Sequence, residues 1–241
     1  MSGIQLIPVV GMPEITRAVD VAGLICEAVA SSGDELRHHD VLVVTQKIVS
    51  KAEGAMTEID PDDRAAHTAL VEAESVRIIR RRGDLIISET RHGFVCANAG
   101  IDLSNVAEGQ AALLPEDPDR SARRLRDAFR GRIGVDVAVI VSDTFGRTWR
   151  RGVTDIAIGS AGIRPILDLR GTEDAYGREL HVTEVAVVDE IAGAAELVMG
   201  KSSGIPVAIV RGVDEAAFEP ENTRAGVLTD IVRPPHEDLF R

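Results

Sequence analysis

The run Val139-Ile140-Val141-Ser142-Asp143-Thr144-Phe145-Gly146-Arg147 brings a carboxylate and a hydroxyl to the end of an apolar segment, with a glycine to turn the chain. Ligands often bind just beyond the carboxyl ends of buried strands. Asp143 and Thr144 offer the hard oxygen atoms that Mg2+ or Mn2+ prefers beside a nucleotide. The competing reading is an Asp-Thr turn that hydrogen-bonds its own backbone. Arg147, Arg150 and Arg151 follow at once in an otherwise acidic chain. Guanidinium forks suit phosphate and carboxylate oxygens, so an anionic ligand stands against plain solvated charge here.

Two more polar stretches follow apolar runs. Asn98-Ala99-Gly100-Ile101-Asp102-Leu103-Ser104-Asn105 carries Asp102, which could share a cation with Asp143, and Asn105, which could orient a ligand. An Asx-turn with a helix cap is the alternative. In Thr45-Gln46-Lys47-Ile48-Val49-Ser50-Lys51 the two lysines are four apart, so on a helical turn both point the same way and can neutralise phosphates. A solvated lysine pair is the plainer reading. Gly200-Lys201-Ser202 imitates the end of a P-loop, but the position five before Gly200 is Ala195, and a helix precedes it where a P-loop needs a strand. Its backbone N–H groups could still meet phosphate. Glu184, Asp189 and Glu190 belong to a helical pattern, and Asp189 and Glu190 read as facing solvent or pairing with arginines, with a catalytic role as the sharper alternative. The sequence holds no H-x-x-x-H or C-x-x-C ligand pair for zinc and no defensible Ser-His-Asp order.

The elements that must position these residues follow from apolar periodicity. Residues 4–10, 40–44, 85–88, 94–97, 135–141 and 205–210 read as strands, with weaker elements over 157–161 and 166–169. Residues 20–30 have helical spacing, a charged helix is expected to reach from the 60s to Arg82, Ser121 is expected to cap a helix ending near Phe129, and another helix begins at Thr183 or Glu184 and runs to Val198. Strands and helices mix without strict alternation, which favours an α+β architecture over a regular doubly wound sheet. The expected boundaries are a domain over 1–212, with room for two subdomains, and a polar tail or linker over 213–241.

Composition narrows the function. The 241 residues carry 27 basic and 39 acidic side chains, a formal charge of −12. That balance argues against nucleic acid, whose partners carry basic surface, and the low aromatic content leaves little for base stacking. No apolar run approaches the roughly 20 residues that span a bilayer, and no signal-peptide pattern opens the chain, so a cytoplasmic protein is expected. Cys26 and Cys96 are too few for a disulfide framework and read as free thiols.

Taken together, the motifs resemble the coenzyme F420-0:γ-glutamyl ligase family. They are Thr45 to Gly54, Asn98 to Val106, Leu113-Leu114-Pro115-Glu116-Asp117-Pro118-Asp119, Ser142 to Arg147, Asp174 to Leu180 and Ala186 to Ala192. They occur in order from near residue 4 to about 212. The resemblance implies a GTP-dependent ligase that adds L-glutamate to coenzyme F420-0 and F420-1 through an acyl phosphate. It implies Mg2+ or Mn2+ with K+ as a helper, and an intertwined homodimer whose fold is neither P-loop nor ATP-grasp. Carried over by position, Asp102, Asp143 and Thr144 match metal ligands, and Asp102, Asp143 and Arg147 are the candidate catalytic residues. Gln46, Lys47, Lys51 and Asn105 match nucleotide contacts, as do the turn Met12-Pro13-Glu14-Ile15 and the loop Met199-Gly200-Lys201-Ser202-Ser203-Gly204.

One position departs from the family pattern. An acidic residue after Met-Gly ligates a second metal in archaeal members, whereas here Lys201 stands there, as it does in the actinobacterial type, so either the second metal has another ligand or Lys201 itself neutralises phosphate. The end of the chain, from Val232, resembles the junction to a nitroreductase-like domain in that type. A catalytically impaired nucleotide- or deazaflavin-binding module and a ligase for another carboxylate are the competing functions.

Overall fold

The computed structural model describes residues 3–104, 106–219 and 225–238. Its strands are β1 (Gln5–Pro8), β2 (Val41–Thr45), β3 (Met56–Glu58), β4 (Ser75–Arg82), β5 (Leu85–Thr90), β6 (Val95–Ala97), β7 (Gln110–Ala112), β8 (Ala138–Gly146), β9 (Val153–Ala161), β10 (Leu167–Asp168), β11 (Glu184–Val185) and β12 (Val207–Arg211). Its helices are α1 (Val21–Ser31), α2 (Gln46–Glu53), α3 (Arg64–Ala73), α4 (Pro118–Ile133), α5 (Val187–Met199) and α6 (Val227–Asp230). A mixed five-stranded sheet in the order β1-β12-β2-β8-β9 forms the centre; β2 and β8 run parallel and the other neighbours antiparallel. A three-stranded meander, β4-β5-β6, and two small pairs, β3-β7 and β10-β11, lie outside it. This is the α+β arrangement expected.

The central strands are apolar on both faces because both faces are covered. Val41, Leu42, Val43, Val44, Val139, Ile140 and Val141 are all fully buried. Helices α4 and α5 pack on β8 and β9, and α1 packs on α4. The approach of α4 is so close that a Cβ on Gly159 would lie 2.3 Å from the Pro118 carbonyl, so only glycine fits there. Asp119, in the first turn of α4, is buried, and its carboxylate accepts the backbone N–H groups of Ser160, Val227 and Leu228 at 2.8, 2.9 and 3.0 Å. The segment 225–232 is thereby fastened to the core.

Several local expectations need correcting. Ser75–Arg82 is an edge strand, not the end of a helix: α3 stops at Ala73 and the chain turns into an antiparallel hairpin with β5. Its arginines sit on an exposed strand edge, where charge blunts further pairing. Strand β8 does not end before Asp143 but runs on to Gly146, because β9 pairs with it throughout. The helix after Pro115 is capped by Asp117, which accepts the Arg120 N–H at 2.8 Å, and Pro118 fills the first turn; Ser121 lies inside the helix. Asp189 does not face solvent: its carboxylate accepts the Ala157 N–H at 2.9 Å and ties α5 to β9, while Glu190 is exposed as expected. The helix containing them begins at Val187, since Glu184 and Val185 pair with Leu167 and Asp168. Both cysteines are free, Cys96 buried and Cys26 partly so.

Candidate functional site

A cleft of about 860 Å³ opens at the end of the central sheet where β2 passes into α2 and β8 turns toward β9. Two lysines reach it from α2. Thr45 is still extended, at φ −64° and ψ 141°, so the helix starts at Gln46, and Gly54 closes its last turn in the left-handed region at φ 78°. Lys47 and Lys51 then share one face. Thr45 makes no side-chain cap, so the first N–H groups of α2 remain open to an anion at the cleft wall. The buried Gln46 Oε1 and Ser142 Oγ, both on that wall, have no hydrogen-bond partner among the described residues.

Asp102 comes from a different part of the chain and is placed by a relay of backbone bonds. After β6, Asn98, Ala99 and Gly100 adopt φ of 50°, 53° and 72°, three consecutive left-handed residues that swing the chain back. Asp102 then exchanges both backbone bonds with Ala112, at 3.0 and 2.9 Å. The next carbonyl, Leu113 O, accepts from Gln46 Nε2 at 2.9 Å and Ser50 Oγ at 2.6 Å, both on α2. The loop is locked to the helix, and Lys47 Nζ meets Asp102 Oδ2 at 2.8 Å and Ser104 Oγ at 2.9 Å. Burial opposes ionisation of Asp102, but the Lys47 ammonium and the N–H and hydroxyl of Ser104 outweigh it and hold its carboxyl below the usual range. Lys51 pairs with Glu14 on the turn after β1.

Asp143 and Thr144 come from β8. A register shift between Val141 and Ser142 leaves Ile158 of β9 without a partner, and beyond it Thr144 faces Asp155. Thr144 Oγ1 donates to Asp155 Oδ1 at 2.7 Å, and Thr144 N–H donates to Asp143 Oδ1 at 2.8 Å. Burial pushes the Asp143 carboxyl up to about 7; the Thr144 N–H opposes this, and the negative charges of Asp102 and Asp155 add to it. Asp143 is partly exposed to the cleft, and with Asp102 and Asp155 acting on it against Lys47 its carboxyl suits a cation. On the far side, Lys201 Nζ lies 2.6 Å from Asp155 Oδ1 and 3.1 Å from Glu196 Oε1 and also donates to Thr144 Oγ1. Burial works against its charge, but the two carboxylates outweigh that and raise its pKa.

Of the residues singled out in the sequence, Met12, Pro13, Glu14, Ile15, Gln46, Lys47, Lys51, Asp102, Asp143, Thr144, Met199, Gly200, Lys201 and Gly204 line this cleft. Ser202 and Ser203 do not; Ser203 Oγ turns back to the Met199 carbonyl. Arg147 is exposed outside it and donates to the Arg151 carbonyl at 3.0 Å, and Arg150 and Arg151 are exposed as well. Asn105 lies outside the described residues. Asp155 and Glu196 were not anticipated. Asp155 is visible only through the β8–β9 register, and Glu196 only once α5 is known to end at Met199 beside that hairpin.

The donor atoms are carboxylate and hydroxyl oxygens, the chemistry that Mg2+ and Mn2+ favour. Among the described residues no three His, Cys, Asp or Glu side chains form a preformed metal cage. That suits an ion held by one or two carboxylates and completed by phosphate oxygens and water.

The architecture and cleft define an α+β protein with a pocket lined by carboxylate and hydroxyl oxygens and by lysines. Comparison with known proteins makes this specific. The chain belongs to the F420-0:Gamma-glutamyl ligase family, whose profile matches residues 10–212. It is 45 % identical to a protein of Methanothermobacter thermautotrophicus named coenzyme F420:L-glutamate ligase, over 99 % of both chains. It is 44 % identical to one of the same name from Methanopyrus kandleri over the full length of both, and 39 % identical to one from Archaeoglobus fulgidus over 99 % of this chain and 96 % of the other. These relatives are archaeal and give the actinobacterial kinship suggested by Lys201 no support. No helix among the described residues is long and apolar enough to cross a membrane.

Proposed function

We propose that this chain is a coenzyme F420-0:L-glutamate ligase that uses GTP and a divalent cation, Mg2+ or Mn2+, with K+ assisting. The observation that carries the proposal is the convergence of Asp102, Asp143 and Thr144 with Lys47 and Lys51, from three distant stretches of chain, around one cleft. Near-full-length similarity to proteins named for F420:L-glutamate ligation supports the substrate.

Amide formation from a carboxylate needs an activated acyl group, because the carboxylate oxygen is a poor leaving group. In the proposed sequence the substrate carboxylate attacks the γ-phosphorus of GTP, the β–γ bridging bond breaks, and GDP leaves. The α-amine of glutamate then attacks the acyl carbon, loses a proton, and expels phosphate. Catalysis of phosphoryl transfer is mostly positioning and charge neutralisation. Asp102 and Asp143 would hold the cation, which supplies charge compensation on the phosphates, with Thr144, whose hydroxyl is engaged by Asp155 and Lys201, beside them. Lys47, Lys51 and the open N-terminus of α2 bind phosphate oxygens, and Gln46 and the loop from Met199 to Gly204 contact the nucleotide. Arg147, with Arg150 and Arg151, serves the acidic substrates from the rim. The proposal includes the intertwined dimer implied by the family resemblance.

The test is a product mass spectrum and GDP assay with purified protein, GTP, Mn2+, L-glutamate and F420-0. The expected result is F420 bearing added glutamate with matching GDP release. Retention of nucleotide or deazaflavin without GDP release would assign a binding module instead, and an unchanged F420-0 with turnover of another acid would assign a different ligase.

A further inference from the structure

The Lys201 ammonium stands among three oxygen atoms from three elements: Thr144 Oγ1 of β8, Asp155 Oδ1 of β9 and Glu196 Oε1 of α5. Asp155 is only 2 % exposed and Glu196 only 22 %. Two carboxylates so placed repel each other, and burying them without a counter-ion is costly. The nest therefore requires a positive charge, and the chain supplies one of its own. Asp143, the residue before Thr144 on the same strand, is different: among the described residues it forms no ion pair with lysine or arginine, and Lys47, paired to Asp102, acts on it only at longer range.

We infer that Lys201 is a tethered cation that fills the Thr144–Asp155–Glu196 nest, so that the cleft takes up a single divalent ion, at Asp102 and Asp143. The inference rests on the metal-dependent reading given above. Lys201 acts as a positioning residue. It holds Thr144 and Asp155 together, fixes the end of β8, and keeps a positive charge beside the cation site without occupying it. The loop that carries it begins at Gly200, whose φ of 62° lets the chain leave α5 and bring Nζ back over the last helical turn.

Equilibrium dialysis against Mn2+, with and without a non-hydrolysable GTP analogue, counts the bound ions. The wild-type chain is expected to hold one Mn2+. Lys201→Ala empties the nest and is expected to hold two, Lys201→Arg to remain at one, and Lys201→Ala with Glu196→Gln to return to one. Two ions on the wild type, or one on Lys201→Ala, would overturn the inference while leaving the proposed ligase intact. No ion on the wild type under either condition would overturn the metal-dependent reading itself, and this inference with it.

Discussion

Lys47 Nζ and Asp102 Oδ2 are 2.8 Å apart although one side chain rises from α2 and the other from the loop after β6. Both side chains are partly exposed, so the pair contributes little to stability, about 1 kcal/mol or less. Its significance is that each partner has a second use: the ammonium for phosphate, the carboxylate for a cation. Lys47→Met is expected to shift the urea midpoint only slightly while weakening nucleotide binding by roughly tenfold, about one charge-assisted contact. Calorimetric titration alongside urea melts checks this; equal loss in both would show a merely structural pair.

Asp143→Asn keeps the shape of the side chain and removes its charge. Loss of a residue that only orients a metal ligand costs about 10–100-fold, and a ligand itself should cost at least as much. Turnover measured as GDP release is expected to fall by roughly 100-fold or more, with circular dichroism and melting temperature close to wild type. Unchanged turnover would remove Asp143 from the proposed chemistry.

Asp40 is 1 % exposed and is gripped at both oxygens by Arg211, Nε and Nη2 each at 2.8 Å. The two carboxylates Asp40 and Asp34 raise the Arg211 pKa further above its usual value. Arg211→Met would leave a buried carboxylate with only the Arg37 N–H as a partner. A loss of about 3–5 kcal/mol is expected by chemical denaturation. A change below about 1 kcal/mol would mean that the carboxylate finds water or another cation.

His92 sets a pH dependence. Burial pushes its pKa below the usual value and the neighbouring Arg91 charge adds to this, against two carbonyls, Pro115 O and Glu116 O, that accept from Nε2. Among the described residues its buried Nδ1 has no partner for a second proton. Because the folded pKa is depressed, the unfolded chain binds the proton first, and this contribution to stability is lost as pH falls below about 6.5. Between about pH 7.5 and about pH 5.5, His92→Gln is expected to lose less stability than wild type. Parallel slopes in denaturant titrations would exclude His92 as the source.

The central strands were legible because burial on both faces demands unbroken apolar runs, as in Val41 to Val44, whereas α2 showed only as a conditional helical turn carrying two lysines four apart. Ser142, Asp143 and Thr144 look like a turn in isolation; only the ladder to β9, a long-range fact, keeps them in a strand. Ser75–Arg82 misleads for a related reason, since arginine-rich edge strands lack the clean alternation of half-buried ones. Asp155 and Glu196 reach the cleft through strand register and helix docking, neither of which local spacing encodes. The Arg147 cluster suggested anion binding by composition, yet the loop leaves it exposed outside the cleft.

The clasp at Asp119 bears on how the polypeptide can be cut. Two of the three amides that it gathers belong to Val227 and Leu228, beyond the stretch that defines the family. A truncation at residue 212 would strand a sequestered anion with one donor left and uncover the wall that Val227 seals. Anyone designing a minimal catalytic fragment should carry the sequence through Val232.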